Sequence, residues 1–327
     1  MSPPGDSDRR NAGRRRRWIW GGKLLLTLAL LGVIVREVAP ARFLPLLLSA
    51  DPTLVLLGVG LTGALNLVKP VRWQQLVRGA CADFTYARAL RSLLVAASAR
   101  LVLPGKVGEY GRLLALPGIP VGTGLGLTTL DLLIEVQVAL LLSLPAAWWL
   151  GGAVAALVPG ILLVLAVLAT HVPPSLLSRL RLPGRPRWIE DRALELRGAR
   201  EALRGNVWLR ALAITFLLAG IRLAQLHLLL VSLGEAPGLL TVLAVPLVQT
   251  ADAIPLTVAG VGIREWVGLR LLPATGISGE AAVAAVALQS LISGLLPGVA
   301  GVPFLLTGSR GRTEPEARAR DEVCAPL

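Results

Sequence analysis

Apolar runs near the length needed to cross a bilayer recur at 18–38, 53–68, 119–143, 147–170, 207–233 and 281–306, and they leave little choice of fold. In hydrocarbon a backbone must satisfy its own N–H and C=O groups, so an apolar run of roughly 20 residues folds as a helix. Only 16% of the 327 residues are charged, against about 25% in soluble domains. Mean hydropathy is +0.68. The expected fold class is therefore an all-α integral membrane protein, a polytopic helical bundle.

A formal charge of +13 suggests nucleic acid in a soluble protein. Here the arginines sit beside the apolar runs, where positive charge holds loops in the cytoplasm, so no nucleic-acid partner is expected. Arg9, Arg10 and Arg14 to Arg17 precede the first run, the segment Lys69 to Arg91 follows the second, and 173–206 carries eight arginines against four acids. These segments share one side only if two interrupted apolar stretches, 93–116 and 239–270, dip in and return. That gives six full spans and two re-entrant Pro/Gly-broken hairpins in an inverted-repeat arrangement, with both termini cytoplasmic. Residues 1–17 and 307–327 read as disordered tails around a transmembrane domain at 18–306, and 188–203 reads as an interfacial helix.

The two interrupted stretches concentrate the polar chemistry. In the first, Pro104, Gly105 and Gly108 break the helix, and Lys106, Glu109 and Arg112 bring charge to the break. Broken backbone at membrane depth is tolerated where it lines a cavity, and a helix restarting there points free N–H groups at an anion. The second stretch repeats the logic with Pro255, Thr257, Gly260, Gly262, Arg264 and Glu265; Asp252 either caps a helix or lines the cavity. The alternative for both is an ordinary loop with a surface ion pair. Asp131 and Glu135, spaced i,i+4 on an apolar span, read as proton sites, as counter-charges to the arginines, or as a shallow interfacial pair. Arg222 is a candidate partner for an acid or a lipid phosphate.

Other signals lead nowhere. GKVGEYG lacks the glycine spacing and the Ser/Thr of a P-loop. His171 and His227 have no acidic companions, and Cys81 and Cys324 lack metal-ligand spacing and imply no disulfide framework, so neither metal nor cofactor is expected. No catalytic nucleophile motif occurs. The tryptophans, among them Trp18, Trp20, Trp73, Trp148, Trp149 and Trp266, read as interfacial anchors.

Arg72-Trp73, PGKVGEYGR at 104–112 and IPLTVAGVGIRE at 254–265 resemble the signatures of the flippase-like membrane domain of lysylphosphatidylglycerol synthases. Thr257 stands where that family usually has serine, and Leu127 and Thr128 stand where it carries a Glu-Arg pair. The resemblance implies a plasma-membrane lipid translocase without the soluble aminoacyl-transferase domain, and so not an enzyme. The family's substrate does not carry over; the charge at the two breaks points to a cavity that receives an anionic phospholipid or polyprenyl-phosphate headgroup on Lys106, Arg112 and Arg264, with Glu109 and Glu265 orienting those cations or meeting an amine. The alternatives are a membrane scaffold recruited by a glycosyltransferase partner and a membrane-embedded lipid-modifying enzyme.

Overall fold

The computed structural model describes residues 21–22, 25–38, 40–103, 105–116, 118–171, 206–251 and 262–308, without the side chains at 40–42, 102, 105, 106, 307 and 308. Among these residues the chain is helical, with no strand. Helix α1 covers 25–37, α2 Pro40–Leu48, α3 Pro52–Arg78 and α4 Tyr86–Val102, followed by a 3₁₀ segment, Gly105–Ala115. Next come α5 (Val121–His171), α6 (Val207–Ser232), α7 (Leu239–Thr250) and α8 (Ile263–Leu271) with a 3₁₀ turn at Leu272–Thr275. Helix α9 (Gly279–Ser290) runs through a π-turn, Leu291–Leu295, into α10 (Leu296–Gly308). Four rods, Pro52–Arg78, Val121–His171, Val207–Ser232 and Gly279–Leu306, are long and apolar enough to cross a membrane. Leu56, Leu57, Ile161, Val164 and Leu165 are exposed on them. In water so much exposed aliphatic surface would be unfavourable; in lipid it is solvated. The chain is a helical membrane protein.

The gap between the apolar runs 119–143 and 147–170 holds Pro145 and sets the join expected there, but the helix breaks instead at Gly151 and Gly152. Gly152 has φ 65° and ψ −158°, a conformation open to glycine because it has no Cβ. The chain doubles back there. The Gln137 amide donates to the Ala166 carbonyl at 2.9 Å and the Thr170 hydroxyl at 2.7 Å. In a straight helix Gln137 and Ala166 would lie roughly 44 Å apart. Pro145 and Pro159 remain within the two arms. Trp148 and Trp149 are exposed just before the turn, as anchors would be.

Helix α3 corrects a second boundary. The sequence ends its span at 68, but the helix continues to Arg78. Its face Asn66, Lys69, Arg72, Trp73 and Leu76 follows the i+3/i+4 spacing of an inward stripe, so the basic residues here turn toward the bundle. Trp73, expected as an anchor, is fully buried. Cys81 is buried.

Both interrupted stretches fold back on themselves. After α4, the 3₁₀ segment returns along the helix: a Cβ at Gly108 would stand 2.5 Å from Arg100 Cα, and one at Gly111 2.6 Å from Ala99 Cβ. Only glycine permits that approach. The open end of this hairpin lies by the end of α3, where the Arg78 and Gln74 side chains donate to the Phe84 carbonyl. The second pair, α7 and α8, opens at the other end of the bundle. There Thr241 Oγ1 meets Thr275 Oγ1 at 3.0 Å, Glu235 accepts from the Ser278 N–H, and the Asp51 N–H donates to the Ser232 carbonyl. The connection 252–261, with the expected break at Pro255, lies outside the described residues, as do the interfacial helix at 188–203 and the termini.

Two large apolar cores and a smaller one at Ile34, Val38 and Val283 hold the described helices together. One large core joins Trp73, Leu76, Phe84, Leu127, Leu130 and Ile134 near the end of α3; the other joins Leu226, Leu229, Leu230, Val245, Val248 and Ala281 toward its start. The polar site lies between them.

Candidate functional site

An ion network links α3, the first hairpin, the first arm of α5 and α6. Its innermost members are two guanidiniums with no exposure, Arg72 and Arg112. Arg72 pairs with Asp131 at 2.8 Å and Glu135 at 2.9 Å and donates to Thr215 Oγ1 at 2.9 Å. Arg112 pairs with Glu109 at 2.5 Å and Asp131 at 2.8 Å, and its guanidinium stacks 4.5 Å above the Trp73 ring. Trp73 is held in turn by its indole N–H donating to Ser92 Oγ. The Arg72–Glu135, Arg112–Asp131 and Arg112–Glu109 pairs are hydrogen-bonded as well, whereas Arg72 Nε and Asp131 Oδ1 are in ion-pair contact only; short pairs of this kind let charge persist in a low-dielectric interior.

A second set of cations reaches the same carboxylates at longer range. Lys69 lies 3.4 Å from Glu109 and 3.9 Å from Glu135, Arg100 lies 3.3 Å from Glu109, and Arg222 lies 3.5 Å from Glu135. Their side chains are 17%, 33% and 32% exposed, respectively. The carboxylate oxygens are shared, so the outer cations are held more loosely than Arg72 and Arg112.

These outer cations line a cavity of about 610 Å³. Toward the first hairpin its wall carries Lys69, Arg100, Glu109 and Arg222; toward the second it carries Gln249, Arg264, Glu265, Gln289 and Ser290. The rest of the wall is mostly aliphatic, with Leu31, Ile34, Leu65, Leu93, Leu101 and Val283, and carries Thr62, Asn66, Gln225 and Ser293 as further polar groups. Lys69 stands nine residues before the end of α3, about 14 Å in from that end of the rod.

The polar groups at the start of α8 bond to its first turn and to α9. Glu265 accepts from the Gly262 N–H at 2.7 Å and from Ser290 Oγ at 3.0 Å, which caps the start of α8 at Gly262, where φ is 93°. Arg264 donates to Gln289 Oε1 at 2.9 Å. The Gln225 amide donates to the Gly58 carbonyl and Thr62 Oγ1, and its oxygen accepts from Ser293.

The sequence candidates therefore separate. Glu109, Arg222, Arg264 and Glu265 line the cavity. Arg112, Asp131 and Glu135 form the buried network behind it, with the two acids as counter-charges to Arg72, Arg112 and Arg222. Gly105 opens the 3₁₀ segment and Gly108 packs it on α4. Lys106 lies in that segment, but its side chain is outside the description; Pro104, Pro255, Thr257 and Gly260 are outside it altogether. Sequence reasoning missed Lys69, Arg100, Gln249 and Gln289. Lys69 was counted as a cytoplasmic flank, though its helical register with Asn66 and Arg72 was the available signal. Among the described residues no group of His, Cys, Asp or Glu is placed to hold a metal.

No curated protein matches the chain. The family model described as the lysylphosphatidylglycerol synthase TM region matches residues 20–301, a range that contains every residue lining the cavity. With nearly all of its helical part matched, the chain belongs to the lysylphosphatidylglycerol synthase TM region family.

Proposed function

We propose that the protein is a lipid translocase of the cell membrane, and not an enzyme, which receives an anionic phospholipid or polyprenyl-phosphate headgroup in the cavity between its two hairpins. The observation that carries this reading is the pairing of loosely held cations with aliphatic wall in one cavity. Lys69, Arg100 and Arg222 can turn from shared carboxylates to a phosphate without breaking the short pairs behind them. Acyl or prenyl chains would lie against the aliphatic wall or remain in lipid. The two hairpins open at opposite ends of the bundle, so the site can be approached from either, which is the arrangement alternating access requires. The arginine-rich segments beside its apolar runs support a cytoplasmic side for both termini.

Leaflet transfer of fluorescent lipid analogues in proteoliposomes tests the proposal. The double variant Lys69→Ala/Arg222→Ala should abolish transfer. Arg270→Ala, which removes a surface pair with Glu37, should leave it unchanged. Transfer at the wild-type rate in the double variant would sink the mechanism.

A further inference from the structure

The cavity between the hairpins is closed at its back and open at its front. Toward the interior it is lined by Thr62, Leu65, Leu93, Gln225, Val283 and Gln289, all buried. Among the described lining residues four are exposed, Val35, Leu101, Leu291 and Leu295, and all four are aliphatic. Every polar side chain of the wall is buried or partly buried. The mouth is therefore apolar, with the polar groups set behind it.

Its depth says what the mouth meets. Leu291–Leu295 is the π-turn between α9 and α10, and Leu291, Ser293, Gly294 and Leu295 of that turn line the cavity. The turn lies midway along the 28-residue rod Gly279–Leu306, about 17 Å from either end at about 1.5 Å per residue. A hydrocarbon core is about 30 Å thick, so this level faces acyl chains rather than water. Leu101 borders the turn, since a Cβ at Gly298 would stand 2.8 Å from its side chain. Val35 stands on α1, which packs against the start of α8 through Leu30 at Gly262 and against α9 through Ile34 at Val283. The slot has room: a Cβ at Gly294 would meet nothing within 4 Å.

Resting on the translocase reading, we infer that the cavity opens sideways into the hydrocarbon between α1 and the π-turn, and that this slot binds one hydrocarbon chain of the lipid whose headgroup lies at Lys69 and Arg222. A hydrocarbon chain is the occupant because the slot sits at acyl-chain depth and is continuous with the polar wall in one cavity. The headgroup then reaches that wall without its chains leaving the bilayer.

The test uses the full-length protein in phosphatidylcholine vesicles containing a trace of phosphatidylglycerol with a diazirine midway along one chain. Photolabelling should mark Val35 and the π-turn, and unlabelled phosphatidylglycerol should displace that label. Label on Ile161, Val164 and Leu165, exposed outside the cavity, should not be displaced. Gly294→Trp places its side chain in open space, so the melting temperature should hold. It should lower both the displaceable label and leaflet transfer at least roughly tenfold, a loss of about 1.4 kcal/mol. Gly63→Trp, exposed on α3 with the same open space but outside the cavity, should change neither.

Label at Val35 and the π-turn that is not displaced, or that survives Gly294→Trp, would identify ordinary boundary lipid and overturn the slot. Absence of label there would mean that protein covers the mouth, and would overturn it too. Wild-type transfer in Gly294→Trp, with transfer lost in Lys69→Ala/Arg222→Ala, would reject the slot and leave the translocase reading standing. Displaceable slot label in a protein that moves no lipid would keep the slot as a lipid-binding site and reject the translocase reading.

Discussion

Asp131 illustrates how much one side chain carries here. Its two oxygens lie 2.8 Å from Arg72 and 2.8 Å from Arg112, the two guanidiniums with no exposure. Asp131→Asn keeps the shape but leaves those cations short of a charge. Breaking one partner of a buried pair costs about 3–5 kcal/mol, so this variant should lose most of its stability in detergent unfolding. Arg222→Ala removes a half-exposed group held at 3.5 Å and should cost less than about 1 kcal/mol by the same measurement. Equal losses would show that the two tiers of ion pairs do not differ in strength.

Elements meet closely where small residues allow it. Helix α10 crosses α4 so tightly that a Cβ at Gly301 would run into the Leu94 carbonyl oxygen, and Ser98 donates to the Gly298 carbonyl at 2.7 Å. Gly301→Ala should therefore cost about 1–3 kcal/mol in unfolding. Gly160→Ala, whose Cβ would meet Leu144 at an ordinary 3.9 Å, should be neutral or stabilising by up to about 1 kcal/mol. At this scale the sequence was informative about rods and poor on turns. The long apolar runs appear as helices because hydropathy and length determine them. The turn in α5 was misplaced because a proline is a visible breaker, whereas the reversal depends on the φ of Gly152, which composition does not display. The hairpin of α4 with its 3₁₀ return was legible in PGKVGEYG, since proline and glycine there have no other use in an apolar stretch. The partners of its charges were not legible: Glu109 and Lys69 are forty positions apart, and nothing in local spacing says that α3 continues inward to bring them together.

For the whole molecule the decisive arrangement is the pair of hairpins opening at opposite ends. In a background with Cys81→Ser and Cys324→Ser, Asp83→Cys and Pro120→Cys flank the first hairpin, and Ala236→Cys stands at the mouth of the second. Membrane-impermeant labelling should reach the first two from the cytoplasmic face and Ala236→Cys from the other. Labelling of Asp83→Cys and Pro120→Cys from opposite faces would mean that the first hairpin crosses, and the cavity would lose its floor.

The two tiers of ion pairing also set what can move. Arg72, Arg112 and Asp131 fasten α3, the 3₁₀ segment and the first arm of α5 into one block. In the second hairpin, Arg264 bonds an amide and Glu265 bonds a hydroxyl and a backbone N–H. Amides of Gly105–Ala115 should accordingly exchange with deuterium more slowly than those of Ile263–Leu271. On the translocase reading proposed above, the protein would work as an anvil and a hammer, with the ion-paired half fixed and the second hairpin as the part expected to move.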